Sequence, residues 1–393
     1  MVARGGPADH IVGSPPASEV PPALPPPLDH ATAAAPPPDV ARRAAATGGT
    51  IRDAEGLVAA GLARAADLDA LRAVGARYAV SVTPAVAALV DPSDPADPVA
   101  AQYVPHPDEL AAAPHEVADP TADAAHSPVP GVVHRYPDRA LLVPLLACPV
   151  YCRFCFRRER VGPGGGVLGD ADLDRALAWF EATPTVREAI LTGGDPLMLS
   201  PRRLRGIVER LAAIPHLDII RVHTRVPVAD PARVTAALCA ALAAADAGGK
   251  ALYVCVHANH AREFTPDARA ALRALHAEAG AVLLGQSVLL RGVNDSADAL
   301  EELFRAMLRA RVKPYYLHML DPAPGTARFA VPLGEARDLL RALRARATGL
   351  AWPTLVVDTA EGGKAPVGPD YAARGERGAW TVDGPLRAGG GGL

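Results

Sequence analysis

Three of the chain's five cysteines fall within eight residues, in CPVYCRFCFRR, where Cys148, Cys152 and Cys155 are spaced Cys-x3-Cys-x2-Cys and two arginines follow at once. Chance clustering of core cysteines is a poor account of a segment that ends in two charges. In a reducing compartment thiols at this density point to a metal or Fe–S site. Structural zinc usually draws on paired Cys-x2-Cys units, and no such pair is present. Three thiolates can instead hold three irons of a [4Fe–4S] cluster and leave the fourth open to an exogenous ligand, unlike an electron-transfer cluster with four cysteine ligands.

A second chemical group is an amine. Lysine occurs only three times among 40 basic residues, at Lys250, Lys313 and Lys364. An amine that can lose its proton forms an imine with an aldehyde, which a guanidinium does not. Lys250 and Lys364 both follow Gly-Gly, but Lys250 begins a predicted strand, at the end of the fold remote from chemistry. A third group is the turn Gly193-Gly194-Asp195 in LTGGDPLML, where glycine permits close backbone approach and the aspartate is an acceptor for an ammonium.

These groups need elements to hold them. Residues 1–48 are rich in Pro and Ala with few large apolar side chains, so a disordered extension is expected there. Residues 49–130 show helical spacing and end in a Pro-rich loop. Residues 131–350 then repeat one pattern: short apolar runs (ALLVPLLA, REAILTGG, LDIIRVHTR, ALYVCVHANH, GAVLLGQSVLL, KPYYLHML), each followed by an amphipathic stretch. Six strand–helix units in a row predict an α/β fold, a parallel sheet curled into a partial barrel, with an open doubly wound sheet as the alternative. In such barrels chemistry sits at the C-terminal strand ends. There the sequence places Cys148, Gly193-Gly194-Asp195, His223 and Arg225, His257 and His260, Gln286 and Arg291, and His318 and Asp321. Cys239 and Cys255 read as core thiols. The formal net charge of −3 supplies no basic field for nucleic acid or an anionic membrane. The sequence shows neither a signal-peptide pattern nor an apolar run of about 18 residues, so a cytoplasmic enzyme with a small substrate is expected.

The Cys-x3-Cys-x2-Cys spacing resembles the signature of radical S-adenosylmethionine enzymes, whose partial (β/α)6 barrel carries the cysteine loop after its first strand and a Gly-Gly-acid turn after its second. The likeness is closer still to one family. The blocks AHSPVPGVVHRYPDRALLVPLLACPVYCRFCFRR, ILTGGDPLMLS, RVHTRVPV, GQSVLLRGVND, RVKPYYLHMLDPAPG and PTLVVDTAEGGKAPVGPDY resemble, in order, those of the lysine 2,3-aminomutases. The resemblance implies Cys148, Cys152 and Cys155 on the cluster and Gly193, Gly194 and Asp195 beside S-adenosylmethionine. It implies Lys364 as the pyridoxal 5′-phosphate lysine, on a C-terminal loop within residues 351–393, and Arg135, Tyr136 and Arg139 around that cofactor. Arg157 would clamp the substrate α-carboxylate, and Asp321 and Asp358 the distal ammonium of lysine, while Arg158 is expected to be structural.

The implied reaction is interconversion of L-α-lysine and L-β-lysine, fed by a reductant such as flavodoxin or ferredoxin, in a homo-oligomer. Two departures stand out: Ser296 occupies a position where zinc-containing members carry cysteine, and the loop from Asp358 to Lys364 is one residue shorter than theirs. Alternatives within the family are arginine or glutamate 2,3-aminomutase and an enzyme acting with elongation factor P as partner; glutamate fits poorly with two distal aspartates.

Overall fold

A computed structural model describes residues 49–162, 165–359 and 363–368, together with the backbone of the strands Tyr371–Arg374 and Trp380–Asp383. The Pro/Ala-rich extension 1–48, and with it the expectation of disorder, lies outside the described residues.

Nine strands form one sheet whose spatial order is the chain order: β1 (Val132–Tyr136), β2 (Arg139–Leu145), β3 (Glu188–Gly193), β4 (Ile219–Thr224), β5 (Ala251–His257), β6 (Val282–Val288), β7 (Lys313–His318), β8 (Thr354–Thr359) and β9 (Gly363–Val367). Strands β2 to β8 are parallel, while β1 and β9 pair antiparallel at the two edges. A doubly wound sheet needs a reversal of strand order, and this sheet has none. β10 (Tyr371–Arg374) and β11 (Trp380–Asp383) form a separate hairpin.

Residues 51–103 carry α1 (Ala54–Ala59), α2 (Leu68–Arg77), α3 (Pro84–Ala87) and α4 (Pro98–Tyr103). Helices α5 (Asp170–Glu181), α6 (Pro201–Ala212), α7 (Val226–Ala229), α8 (Ala236–Ala247), α9 (Pro266–Ala277), α10 (Ala297–Arg309) and α11 (Leu333–Arg346) fill the six connections from β2 to β8. Their starts are written in the sequence. Ser200, Thr235, Thr265 and Ser296 each accept the backbone N–H three residues on, and Pro201 and Pro266 take the first helical position. Ser296 therefore has a structural task here, capping α10.

Outward strand residues such as Leu191, Val222, Val254, Leu283 and Leu317 join Leu204, Ile207, Leu242, Leu272 and Leu303 of the helices in the main core. Each large apolar side chain buried there contributes about 1.5–3 kcal/mol. A second cluster, built from Leu57, Val82, Val86, Val99 and Tyr103, includes Val150 of the cysteine loop, so the helical segment supports that loop directly.

The sheet's two edges meet through side chains, with no ladder between them. Lys364 on β9 donates its backbone N–H to the Tyr136 hydroxyl at 2.6 Å, and Arg135 Nη2 donates to the Thr359 carbonyl. Gly363 has φ +74°, and a Cβ there would lie 2.3 Å from the Tyr136 hydroxyl. Only glycine lets the edges come this close. Among the described residues no helix is long and apolar enough to cross a membrane.

Candidate active site

The cysteine loop is fixed by the residues between its cysteines. Val150 enters the second apolar cluster, and Phe154 joins Leu290, Val293 and Phe329 in a third. Arg153 is buried and donates from Nε and Nη2 to Glu109, at 3.0 and 2.5 Å. Arg158, also buried, donates to Glu109 and to the Arg153 carbonyl and stacks on Tyr78 at 3.7 Å. Its structural role matches expectation. Glu109 itself is held at the start of a 3-10 turn over Pro107–Leu110, where its Oε1 accepts the His106 N–H at 2.8 Å. Arg157 has Nε tied to Asp123 at 2.8 Å, and no other hydrogen bond engages its guanidinium among the described residues. Burial pushes the Cys148 thiol up, and the Cys155 thiol up to about 11.

The Gly-Gly-Asp turn lines the cavity and is tied closely to the surrounding protein. A Cβ on Gly194 would lie 2.3 Å from the Ala147 carbonyl, and Gly193, at φ +109°, would meet Val143 at the same distance. The glycines thus allow the β3 end to lie against the chain entering the cysteine loop. Asp195 is fully engaged: it accepts from Thr224 Oγ1 at 2.8 Å, the Arg225 N–H at 2.7 Å, and the Leu197 and Val226 N–H groups at 3.1 Å. Its carboxylate organises the β4 end and has little capacity left for a ligand ammonium, because four protein donors already surround it.

On the opposite wall, Lys364 stands on β9 as the cross-strand partner of Asp358, one residue beyond Gly363. Its Nζ lies 2.8 and 2.9 Å from the two Asp358 oxygens. His318 Nδ1 contacts the same carboxylate at 3.3 Å, and Arg135 Nη1 lies 3.9 Å away. Burial opposes ionisation of Asp358, but His318 and the Lys364 ammonium hold it well below the usual carboxylate range. Asp321 has the reverse balance: burial and the charge of Asp358 push it up to about 7. Arg139 lies over the Tyr136 ring at 3.7 Å.

All thirteen residues singled out for cofactor or substrate line one cavity of about 450 Å³: Cys148, Cys152, Cys155, Gly193, Gly194, Asp195, Arg135, Tyr136, Arg139, Arg157, Asp321, Asp358 and Lys364. His223, Arg225, His257, Gln286 and His318 line it as well, whereas His260 caps a turn over Ala261–Glu263 and Arg291 makes exposed ion pairs with Asp295 and Glu335. Lys250 donates to the Ile214 carbonyl at 2.9 Å, and Lys313 to the Pro314 and Trp352 carbonyls at 2.9 and 3.2 Å. Cys239 and Cys255 are buried in α8 and β5.

The donors suit the groups that the sequence reading implies. Among the described residues no three His, Cys, Asp or Glu side chains are gathered around a single-ion site. Cys148, Cys152 and Cys155 all line the one cavity, and three thiolates can hold three irons of a [4Fe–4S] cluster. At the other wall, the buried Nε of Arg135 has no hydrogen-bond acceptor, as a site awaiting an anion would leave it.

Comparison with known proteins decides the family. The chain is 39% identical over 293 residues to the L-lysine 2,3-aminomutase of Clostridium subterminale, spanning 74% of this chain and 69% of that protein. It is 38% identical over 293 residues to the enzyme of that name from Fusobacterium nucleatum, spanning 74% of this chain and 68% of the other. The chain belongs to the lysine 2,3-aminomutase family. It is accordingly an isomerase of the aminomutase class. A glutamate 2,3-aminomutase from Clostridioides difficile is also similar, at 31% identity over 302 residues, 77% of this chain and 70% of that one. No family model matches the chain. Among solved structures, a radical SAM methyltransferase from Sphaerobacter thermophilus is 23% identical, covers 58% of this chain and 68% of its own, and has a TM-score of 0.40, a likeness too slight to argue from.

Several groups lining the aminomutase cavity were missed. Glu188 and Thr192 on β3, Arg221 on β4 and Tyr316 on β7 point into it from within the strands. Their signal was a period-two pattern interrupted by isoleucine: Glu188 and Thr192 flank Ile190 on one face of β3, and Arg221 and His223 share one face of β4, which marks an inward face that is not wholly apolar. Asp123 and Glu109 gave no local signal, since each is recruited from the loop-rich lead-in.

Proposed function

We propose that this aminomutase interconverts L-α-lysine and L-β-lysine, using a [4Fe–4S] cluster with S-adenosylmethionine and pyridoxal 5′-phosphate. The observation that carries the choice of lysine is the pair of half-buried carboxylates, Asp321 and Asp358, in the cavity that also holds Lys364 and the three thiols. Two carboxylates partly out of water favour a cation, so a substrate with a distal ammonium gains what a distal carboxylate would lose. The names of the similar enzymes agree with that reading.

When bound, the cluster with S-adenosylmethionine supplies one-electron, hydrogen-abstracting chemistry, and pyridoxal 5′-phosphate supplies the conjugated carbonyl group through which an amino nitrogen can move. Cys148, Cys152 and Cys155 would hold three irons. Lys364 Nζ would hold the aldehyde carbon, with Arg135, Tyr136 and Arg139 toward the phosphate. Arg157, its Nε anchored by Asp123, offers its remaining N–H groups to the substrate α-carboxylate. While Lys364 Nζ held the aldehyde carbon it would be withdrawn from Asp358, leaving that carboxylate, with Asp321, able to receive the distal ammonium of an entering substrate. The apolar and aromatic residues Phe154, Val288 and Leu320 help keep water from the reacting carbons. The electron would come from a small carrier such as flavodoxin or ferredoxin.

The test is anaerobic reconstitution with iron, sulfide, pyridoxal phosphate, S-adenosylmethionine and a reductant, with L-lysine, L-arginine, L-glutamate and unmodified elongation factor P offered separately. β-Lysine formed from free lysine, detected by mass spectrometry, is the expected result. Turnover confined to arginine, glutamate or the protein would refute the substrate assignment.

A further inference from the structure

Arg225 does not belong to the implied substrate or pyridoxal sites, yet it is almost completely buried and touches the cysteine loop. Its Nη1 donates to Cys152 Sγ at 3.1 Å, and its Nη2 donates to Gln102 Oε1 at 2.7 Å and to Glu263 Oε2 at 2.8 Å. The guanidinium also lies 4.8 Å from the centre of the Tyr103 ring. Each of these groups is itself held. Glu263 accepts the Asn259 and His260 N–H groups at 2.7 and 2.8 Å and the Tyr103 hydroxyl at 3.1 Å, while Asn259 Nδ2 donates to Gln102 at 3.1 Å. From behind, Asp195 accepts the backbone N–H of Arg225. Among the described residues, no other arginine donates to a cysteine sulfur.

A neutral thiol is a weak acceptor, so a fixed, desolvated guanidinium aimed at one has little to gain. A metal-ligating thiolate is a much better partner, and hydrogen bonds and charge beside cluster sulfurs are among the factors that set a cluster's reduction potential. We infer that Arg225 is a positioning residue that orients the Cys152 ligand and makes the cluster easier to reduce, with Glu263 moderating the effect. Adding an electron increases the negative charge on the cluster, and a cation held beside it in a low-dielectric site favours that state. Glu263, sharing the same guanidinium, opposes it. The arrangement also gives the helical lead-in a role in the redox step, since Gln102 and Tyr103 end α4.

This inference rests on the proposed cluster. The experiment is a mediator-coupled anaerobic titration of the reconstituted full chain, wild type beside Arg225→Gln, Arg225→Lys and Glu263→Gln, with iron counted and the reduced cluster followed by electron paramagnetic resonance. Arg225→Gln is expected to disfavour reduction by about tenfold, a fall of about 59 mV for one electron. Arg225→Lys should lie between it and wild type, and Glu263→Gln should shift the potential upward. Midpoints indistinguishable from wild type in Arg225→Gln and Glu263→Gln would overturn the role assigned to Arg225. If Arg225→Gln holds too little iron to titrate, Glu263→Gln decides alone: an upward shift supports the inference and an unchanged midpoint overturns it. A wild-type chain that takes up no [4Fe–4S] cluster would overturn the proposed function itself.

Discussion

Asp321→Asn separates a carboxylate kept for a ligand from one kept for the fold. Burial and the charge of Asp358 raise Asp321 from its ordinary 3.8 to about 7. That difference corresponds to roughly 4 kcal/mol against ionisation in the ligand-free protein. Because the folded-state value lies above the unfolded one, the unfolded chain releases this proton first as pH rises. Stability therefore falls between about pH 4 and pH 7 and stays low above that range. The amide variant escapes the penalty, so in urea unfolding of the ligand-free chain it should gain about 1.5 kcal/mol at pH 5 and roughly 4 kcal/mol at pH 8. Activity should move the other way. Removing one member of a buried charge pair costs about 2–5 kcal/mol, so kcat/KM for L-lysine should fall by about 30-fold to several thousand-fold. Wild-type kcat/KM should also decline below about pH 7 as Asp321 takes up its proton, and this limb should vanish in the variant. A variant that loses stability at pH 8 along with activity would show Asp321 to be a structural residue and refute the reasoning.

Three further outcomes follow from contacts in the same cavity and behind it. Lys364→Ala should abolish retention of pyridoxal phosphate through gel filtration, read from the cofactor's absorbance, while the bound iron stays at the wild-type level. Glu109→Gln leaves the buried Arg153 and Arg158 without their carboxylate, and unfolding in urea should show a loss of about 3–5 kcal/mol together with reduced iron uptake, since both arginines belong to the cysteine loop. Gly194→Ala forces a Cβ to within 2.3 Å of the Ala147 carbonyl; the shift should cost about 1–3 kcal/mol and lower the iron bound per chain in colorimetric assay.

The cysteine triad, the six strand–helix units and the position of Lys364 were legible because each is local: a fixed spacing, a short apolar run, a glycine pair. The helix starts at Ser200, Thr235, Thr265 and Ser296 were equally local. What escaped depends on chain segments far apart in sequence. Arg135 and Tyr136 sit on an edge strand whose partner across the seam is residues 359–364, more than two hundred positions away, so HRYPDR read as a segment just before the first strand and not as a hairpin. Glu109 draws in Arg153 and Arg158 over 44 and 49 positions. The hydrogen bonds of Asp195 to Thr224 and Arg225 escaped as well, because its donors on β4 and the following turn become neighbours only when the sheet forms.

The polar strand faces carry a further argument. A barrel filled for stability alone would line its interior with Val, Ile and Leu. Here the inward positions include Glu188, Thr192, Arg221, His223, His257, Gln286, Tyr316 and His318. Burial holds His223, His257 and His318 below the usual imidazole range, toward their neutral forms, and the His223 Nε2 has no hydrogen-bond partner. Each such group weakens the fold unless something polar fills the space it faces. Some of these groups are paired within the protein, Arg221 with Glu188 at 3.2 Å and His318 with Asp358 at 3.3 Å, but His223 Nε2 is not, and its relief comes from groups bound within the barrel. Cofactor and substrate should therefore stabilise this chain against unfolding beyond what mass action on a preformed apolar pocket of the same size would give, with the increment falling when Asp321 or Arg135 is neutralised.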